Sequence, residues 1–300
     1  MSNRKIIVHV GAHKTASTYI QEALALNVDA SVAAGRVYWP RERFRPALAN
    51  AVKRADRMNT SRRARWAARI GIDPRDPSAG LRRLTNIDYG LTLSEENLLG
   101  DADNCFGGSI YPLASRNLHV LKAALPDRPL EIMIALRSYP HFMSSLFAEA
   151  LKNGADVKLD EARAMRPHLK GGWQGVLGAI RGVFPDASIT VWKYEDFAKL
   201  EDELLSRMSG LAVEDLQKPS NGDILPSPSA EAIEGMFELP AGLNWIERSL
   251  HMRALRSMHP RSQSSTKFTL WTPQETEQLA SEYDQDIKEI KSLSYVNFLS

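Results

Sequence analysis

Eight residues near the N-terminus, Gly11-Ala12-His13-Lys14-Thr15-Ala16-Ser17-Thr18, have the makings of an anion site. A glycine permits a sharp turn, and the backbone N–H groups after it, together with the start of a helix, attract negative charge. Lys14 adds a mobile positive charge, and Thr15, Ser17 and Thr18 add hydroxyl donors. The spacing is not that of an NTPase phosphate loop, which needs Gly, four residues, then Gly-Lys-Ser/Thr. Here Lys14 follows Gly11 by three residues, with no glycine before it. Two further polar groups follow apolar runs: Ser94-Glu95-Glu96-Asn97, and Arg137 with Ser145 eight positions later. A guanidinium binds phosphate through two parallel bonds, and a serine on the next helix can add a hydroxyl donor.

These groups need elements that hold them together. Lys5–Val10, Tyr89–Leu93, Leu130–Leu136 and Ala187–Trp192 are short, mostly apolar runs that read as strands. Helical spacing follows several of them: from Ser17, over 46–70, from Tyr139 to Lys152 and from Glu195 to Met208. The stretch Pro219–Pro228 reads as a loop, and helices are expected over 230–237, 243–258 and 273–293, the last capped by Thr272 with Pro273 and Glu275 behind it. Short apolar strands separated by helices predict an α/β fold, a P-loop-like three-layer sandwich with a central, mostly parallel sheet and helices on both faces. In such sheets ligands bind beyond the carboxyl ends of the strands, and the three polar groups follow Val10, Leu93 and Leu136, at such ends. One domain over 1–300 is expected, with a basic, mainly helical insertion at about 36–86 and a helical C-terminal part at about 228–293.

Within this frame the segment HVGAHKTASTYIQ resembles the 5′-phosphosulfate loop of sulfotransferases that use 3′-phosphoadenosine 5′-phosphosulfate (PAPS), the bacterial soluble type in particular. That loop typically reads Lys-Thr-Gly-Thr-Thr after a strand; Ser17 keeps the hydroxyl, whereas Ala16 replaces the usual glycine. Arg137 and Ser145 match the family's 3′-phosphate signature, and Tyr194-Glu195-Asp196-Phe197 resembles its Tyr-Glu-Asp-Leu element, whose tyrosine lies against the adenine. The resemblance implies nucleotide contacts from Gly11, Lys14, Thr15, Ala16, Ser17, Thr18, Arg137, Ser145 and Tyr194, and a reaction that needs no metal. It also implies PAPS as co-substrate, PAP as product, and transfer of a sulfuryl group to a hydroxyl or amine. Lys14 would stabilise charge on the leaving phosphate, as positioning and electrostatics do in phosphoryl transfer. Ser94-Glu95-Glu96-Asn97 resembles a Ser-Ser-Glu element that points to Glu96 as general base, with His13, the neighbour of Lys14, and Glu95 as alternatives.

The composition fits such a protein. Of 300 residues, 43% are hydrophobic and 25% charged, which excludes a disordered chain or a fibrous repeat. A single cysteine, Cys105, cannot form an internal bridge, and the longest apolar runs are too short to cross a bilayer. With no secretory signal evident, the expectation is a cytoplasmic protein. The net charge is +2, but residues 36–83 hold fourteen basic against four acidic side chains. That surplus suggests capture of an anionic or carbohydrate acceptor; little aromatic interleaving argues against nucleic acid. Two other functions stay open on the sequence: a small-molecule kinase with a degenerate phosphate loop, and a non-catalytic nucleotide-binding protein.

Overall fold

All four residues of β1 (Ile6–His9) are buried, three of them apolar, so the strand does not suit a sheet with one wet face, and the chain covers both faces. The structure, a computed structural model, describes residues 4–60, 76–220, 227–261 and 267–300. Helices α1 (Ser17–Leu26) and α2 (Val28–Ala33) lead to β2 (Arg36–Tyr38); α3 (Arg41–Thr60) and α4 (Ala79–Thr85) lead to β3 (Gly90–Ser94). Then come α5 (Ala114–Lys122), β4 (Leu130–Leu136), α6 (Tyr139–Lys152), α7 (Leu159–Arg163), α8 (Gly172–Val183) and β5 (Ser188–Lys193). The chain closes with α9 (Phe197–Ser209), α10 (Ala230–Glu234), α11 (Trp245–Met258), α12 (Pro273–Lys291) and β6 (Val296–Leu299). The six strands form one parallel sheet in the order β2-β3-β1-β4-β5-β6.

Alternation along the strands divides the core in two. Ile6, Val8, Leu91, Leu93, Ile132 and Ile134 pack with α3, α5, α6, α8 and α12 on one face. Ile7, Met133, Ala135 and Trp192 pack with α1 and α9 on the other, against Ile20, Leu24, Leu204 and Met208. The expected α/β three-layer sandwich is therefore what the chain forms. The four expected strands appear within a residue or so at each end, and the Thr272 cap of α12 is present, its hydroxyl accepting from Glu275 N at 3.2 Å.

Two edge strands were not anticipated. β2 is three residues long and β6 follows a polar helix, so neither carries an apolar run strong enough to read. β2 makes the basic segment part of the sheet: it pairs in register with β3, Arg36 against Gly90. Arg36 is buried there and donates to Lys5 O and Leu91 O at 3.3 and 3.2 Å. The far end of the helix expected over 46–70, five of the arginines of the basic run, and most of the loop expected over 219–228 lie outside the described residues. Among the described residues, no helix is long and apolar enough to cross a membrane.

The strand order sets the site. From β1 the chain runs outward to β2 and back to β3, then crosses to β4 on the other side of β1, so the direction of winding reverses around β1. The carboxyl ends of β3, β1 and β4 meet at that reversal, where parallel sheets leave a crevice.

Candidate functional site

The turn after β1 stays tied to the sheet beyond the strand's end. Ala12 N donates to Ala135 O at 3.3 Å, and Ala135 N donates to Gly11 O at 2.7 Å. Gly11 has φ +99°, and a Cβ there would lie 3.1 Å from Glu96 Cβ and 3.3 Å from Glu96 Cα. Only glycine lets this turn approach the Glu95-Glu96 corner so closely. Lys14 and Ala16 are both left-handed, at φ 61° and 65°. Ala16 stands where the resembling loop has glycine, and an L-residue in this region carries about 1–2 kcal/mol of strain.

The loop's donors differ from expectation. Thr15 Oγ1 and Ser17 Oγ both donate inward to Ala12 O, at 2.7 and 2.9 Å, and both residues are buried. In this arrangement both hydroxyls bond within the turn. Outward capacity rests with Lys14, the exposed Thr18 and the first-turn N–H groups of α1. Its N-cap Ala16 has no side chain to bond them, so those donors are left for an anion.

The corner after β3 holds a carboxylate pair. Glu95 is fully buried and Glu96 is partly buried, at the edge of a cavity. Arg45, from α3, spans both: its Nε donates to Glu95 Oε2 at 2.7 Å and its Nη2 to Glu96 Oε1 at 2.8 Å. Gln21 Nε2 donates to Glu96 Oε2 at 2.9 Å, and Asn97 N to Glu95 Oε1 at 3.1 Å. Burial lifts the Glu95 carboxyl above its usual value. Burial also pushes Glu96 up, but His13 and Arg45 pull it back, and the balance falls below the usual glutamate range. Neighbouring carboxyls driven apart in this way are a pattern of sites with divided proton roles.

His13 is buried, and both ring nitrogens are taken: Nδ1 meets Tyr111 Oη and Nε2 meets Asn97 Oδ1, each at 2.9 Å. His13 N also donates to Tyr111 Oη at 2.9 Å, so that hydroxyl accepts from the backbone and donates to Nδ1, leaving Nε2–H for Asn97. Burial pushes the imidazole down, which keeps it neutral. With no free lone pair, His13 in this arrangement props the loop, and Glu96 lines the cavity beside it.

Across the crevice, Arg137 leaves the end of β4. Its Nη1 donates to Lys14 O at 2.6 Å, its guanidinium lies 4.7 Å from the centre of the Tyr194 ring, and its Nε is buried without a partner among the described residues. Tyr194 thus supports Arg137 with one face of its ring. Ser145 is half-buried on α6, one helical turn before Glu149. Glu149 accepts from Lys14 Nζ at 3.2 Å and from Lys152 Nζ at 2.9 Å. Lys14 is therefore the joint of the site: its carbonyl bonds the arginine side and its ammonium the helix on the other.

That helix borders a cavity of about 480 Å³, lined by His13, Thr18, Arg45, Glu96 and Glu149, with Trp245 at its edge. Trp245 is 66% exposed. The structure thus brings Gly11, His13, Lys14, Thr18 and Glu96 together around the turn after β1, sets Arg137 against Tyr194, and carries Ser145 on the helix of Glu149. The sequence reading missed Arg45, Gln21, Tyr111, Glu149 and Trp245. Glu149 had a signal, since it lies four residues after Ser145 on a helix and so on the same face. Arg45 had none that set it apart from the other arginines of its run. No protein-family model matches the chain, and a search of curated proteins finds no match.

Proposed function

We propose that this protein is a PAPS-dependent sulfotransferase. The observation that carries the reading is the position of Lys14, bonded through its carbonyl to Arg137 and through its ammonium to a wall of the cavity that Glu96 lines. The residues present fit a doubly phosphorylated nucleotide: an arginine whose buried Nε has no partner among the described residues stands at one end, and a helix N-terminus without a side-chain cap, with a lysine, at the other. When bound, PAPS supplies an electrophilic sulfuryl group on a phosphate leaving group.

Arg137 and Ser145 hold the 3′-phosphate, Arg137 braced by Tyr194. The N–H groups opening α1 hold the 5′-phosphate, and Lys14 neutralises the charge that grows there as the bond to sulfur breaks. Glu96, with one oxygen on Arg45 and the other on Gln21, keeps lone pairs for the hydroxyl or amine of an acceptor in the cavity and takes its proton as the new bond to sulfur forms. Its low proton affinity suits a loose transition state, in which the nucleophile needs orientation more than early deprotonation. The acceptor is a small molecule or glycan.

The test is thermal unfolding with PAP, PAPS, ATP and GTP, with and without magnesium. A ligand that binds only the native state raises its stability. PAP and PAPS should raise the midpoint without magnesium. A shift with ATP that needs magnesium would favour a kinase, and no shift with any nucleotide would refute nucleotide binding.

A further inference from the structure

Arg45 belongs to the basic segment that matches no motif, yet it points away from solvent anions and into the carboxylate corner. Its guanidinium meets two carboxylates of unlike surroundings, Glu95 with a side chain 0% exposed and Glu96 with one 14% exposed. We propose that Arg45 is a positioning residue: it anchors on the buried Glu95 and fixes the Glu96 carboxylate, ionised and in one orientation, at the wall of the cavity. This rests on the reading of Glu96 as the group that meets the acceptor.

The geometry is specific to arginine. Nε and Nη2 diverge along one edge of the planar fork and reach the two carboxylates at 2.7 and 2.8 Å. A lysine ammonium is a single point and cannot hold both in that alignment. Gln21 fixes the second Glu96 oxygen, and the Cβ-free Gly11 backs the Glu96 stem, so the carboxylate is held from three directions. The titratable groups facing Glu96 are Arg45, Glu95, His9, His13, Tyr38 and Tyr111. Burial pushes both histidines down and lifts the tyrosines, so near neutral pH Arg45 is the permanent cation bonded to Glu96, and His13 adds its attraction as it takes up a proton. The segment's surplus of positive charge is thereby partly spent inside the protein, on the site itself.

The test reads Glu96 directly, by NMR titration of side-chain carboxyl carbons in glutamate-labelled protein, with Glu96→Gln to assign the resonance. Because removing Arg45 alone strands the buried Glu95, the comparison is Glu95→Gln against the double variant Glu95→Gln/Arg45→Gln. Losing the cation should raise the Glu96 midpoint by about 1–3 pH units, a tenfold or greater gain in proton affinity. Glu95→Gln/Arg45→Lys should restore part of the shift, which a packing role alone would not. In the wild type, which needs no variant to fold, the Arg45 Nη2 resonance should move with the Glu96 midpoint, because Nη2 is the nitrogen bonded to that carboxylate. Equal Glu96 midpoints with and without Arg45, or an Arg45 signal blind to Glu96, overturn the proposal. Stabilisation by PAP, measured alongside, separates the two readings. A moved midpoint without PAP binding leaves Arg45 its role and removes the sulfotransferase; PAP binding with an unmoved midpoint does the reverse.

Discussion

If the protein binds PAPS as proposed, Glu149 competes with the nucleotide for Lys14, and replacing it with glutamine should tighten PAP binding. Its carboxylate holds Lys14 at 3.2 Å and Lys152 at 2.9 Å, with the Glu149 side chain 17% exposed. Burial pushes the Glu149 carboxyl up, and Lys14 and Lys152 more than reverse that, so it is charged at neutral pH. A partly exposed pair of this kind contributes about 0.2–1 kcal/mol, which Lys14 gives up when it turns to a phosphate. A phosphate seated on Lys14 also lies roughly 6 Å from the Glu149 carboxylate, and at an effective dielectric of about 40–80 their repulsion is about 0.7–1.4 kcal/mol per charge pair. Glu149→Gln removes both effects while keeping shape and a hydrogen-bond acceptor, for a gain of about 1–2 kcal/mol, or about 5–30-fold in affinity. Isothermal titration with PAP measures this, and the gain should shrink between about 50 and 500 mM salt as screening takes hold. In a Lys14→Ala background the part due to competition should vanish and the repulsion alone remain. Unchanged or weaker PAP binding by Glu149→Gln would mean that Glu149 aims Lys14 at its ligand instead, and the reasoning fails.

Three further outcomes test the site's construction. Gly11→Ala forces a side chain into a left-handed residue 3.1 Å from Glu96 Cβ and should cost about 2–3 kcal/mol in urea unfolding; a loss under about 0.5 kcal/mol would show the contact to be loose. Ala16→Gly relieves a φ of 65° and should stabilise by about 0.5–1 kcal/mol, whereas a destabilised variant would place Ala16 outside the left-handed region. His9 is fully buried, stacked on Trp192 at 5.8 Å, and burial pushes its imidazole down to about 4. The unfolded chain protonates near 6.5 and so binds more protons than the native state as pH falls from there to about 4, which should cost about 3 kcal/mol. Urea midpoints over that window check it: His9→Phe, which keeps the stack, should flatten the decline, and an unchanged slope would assign it to other groups.

The sequence by itself determined the four inner strands of the sheet and which polar residues stand at their ends. Apolar runs such as IIVH and LEIMIAL can be satisfied only between two helical layers, so the parallel sandwich and the turns at its strand ends follow from local pattern. Gly11, Lys14, Glu96 and Arg137 were legible because each stands where such a run stops. Tertiary structure alone decided what each then does. Thr15 and Ser17 look like ligand donors until the turn presents Ala12 O to them, and His13 looks like a base until Tyr111 and Asn97, far along the chain, occupy its nitrogens. Likewise, nothing local distinguishes Arg45 from its neighbours, because its role depends on two carboxylates fifty residues away that the winding around β1 brings within hydrogen-bond reach. Periodicity encodes which face of an element is buried; it carries no information about which polar groups from separate elements meet.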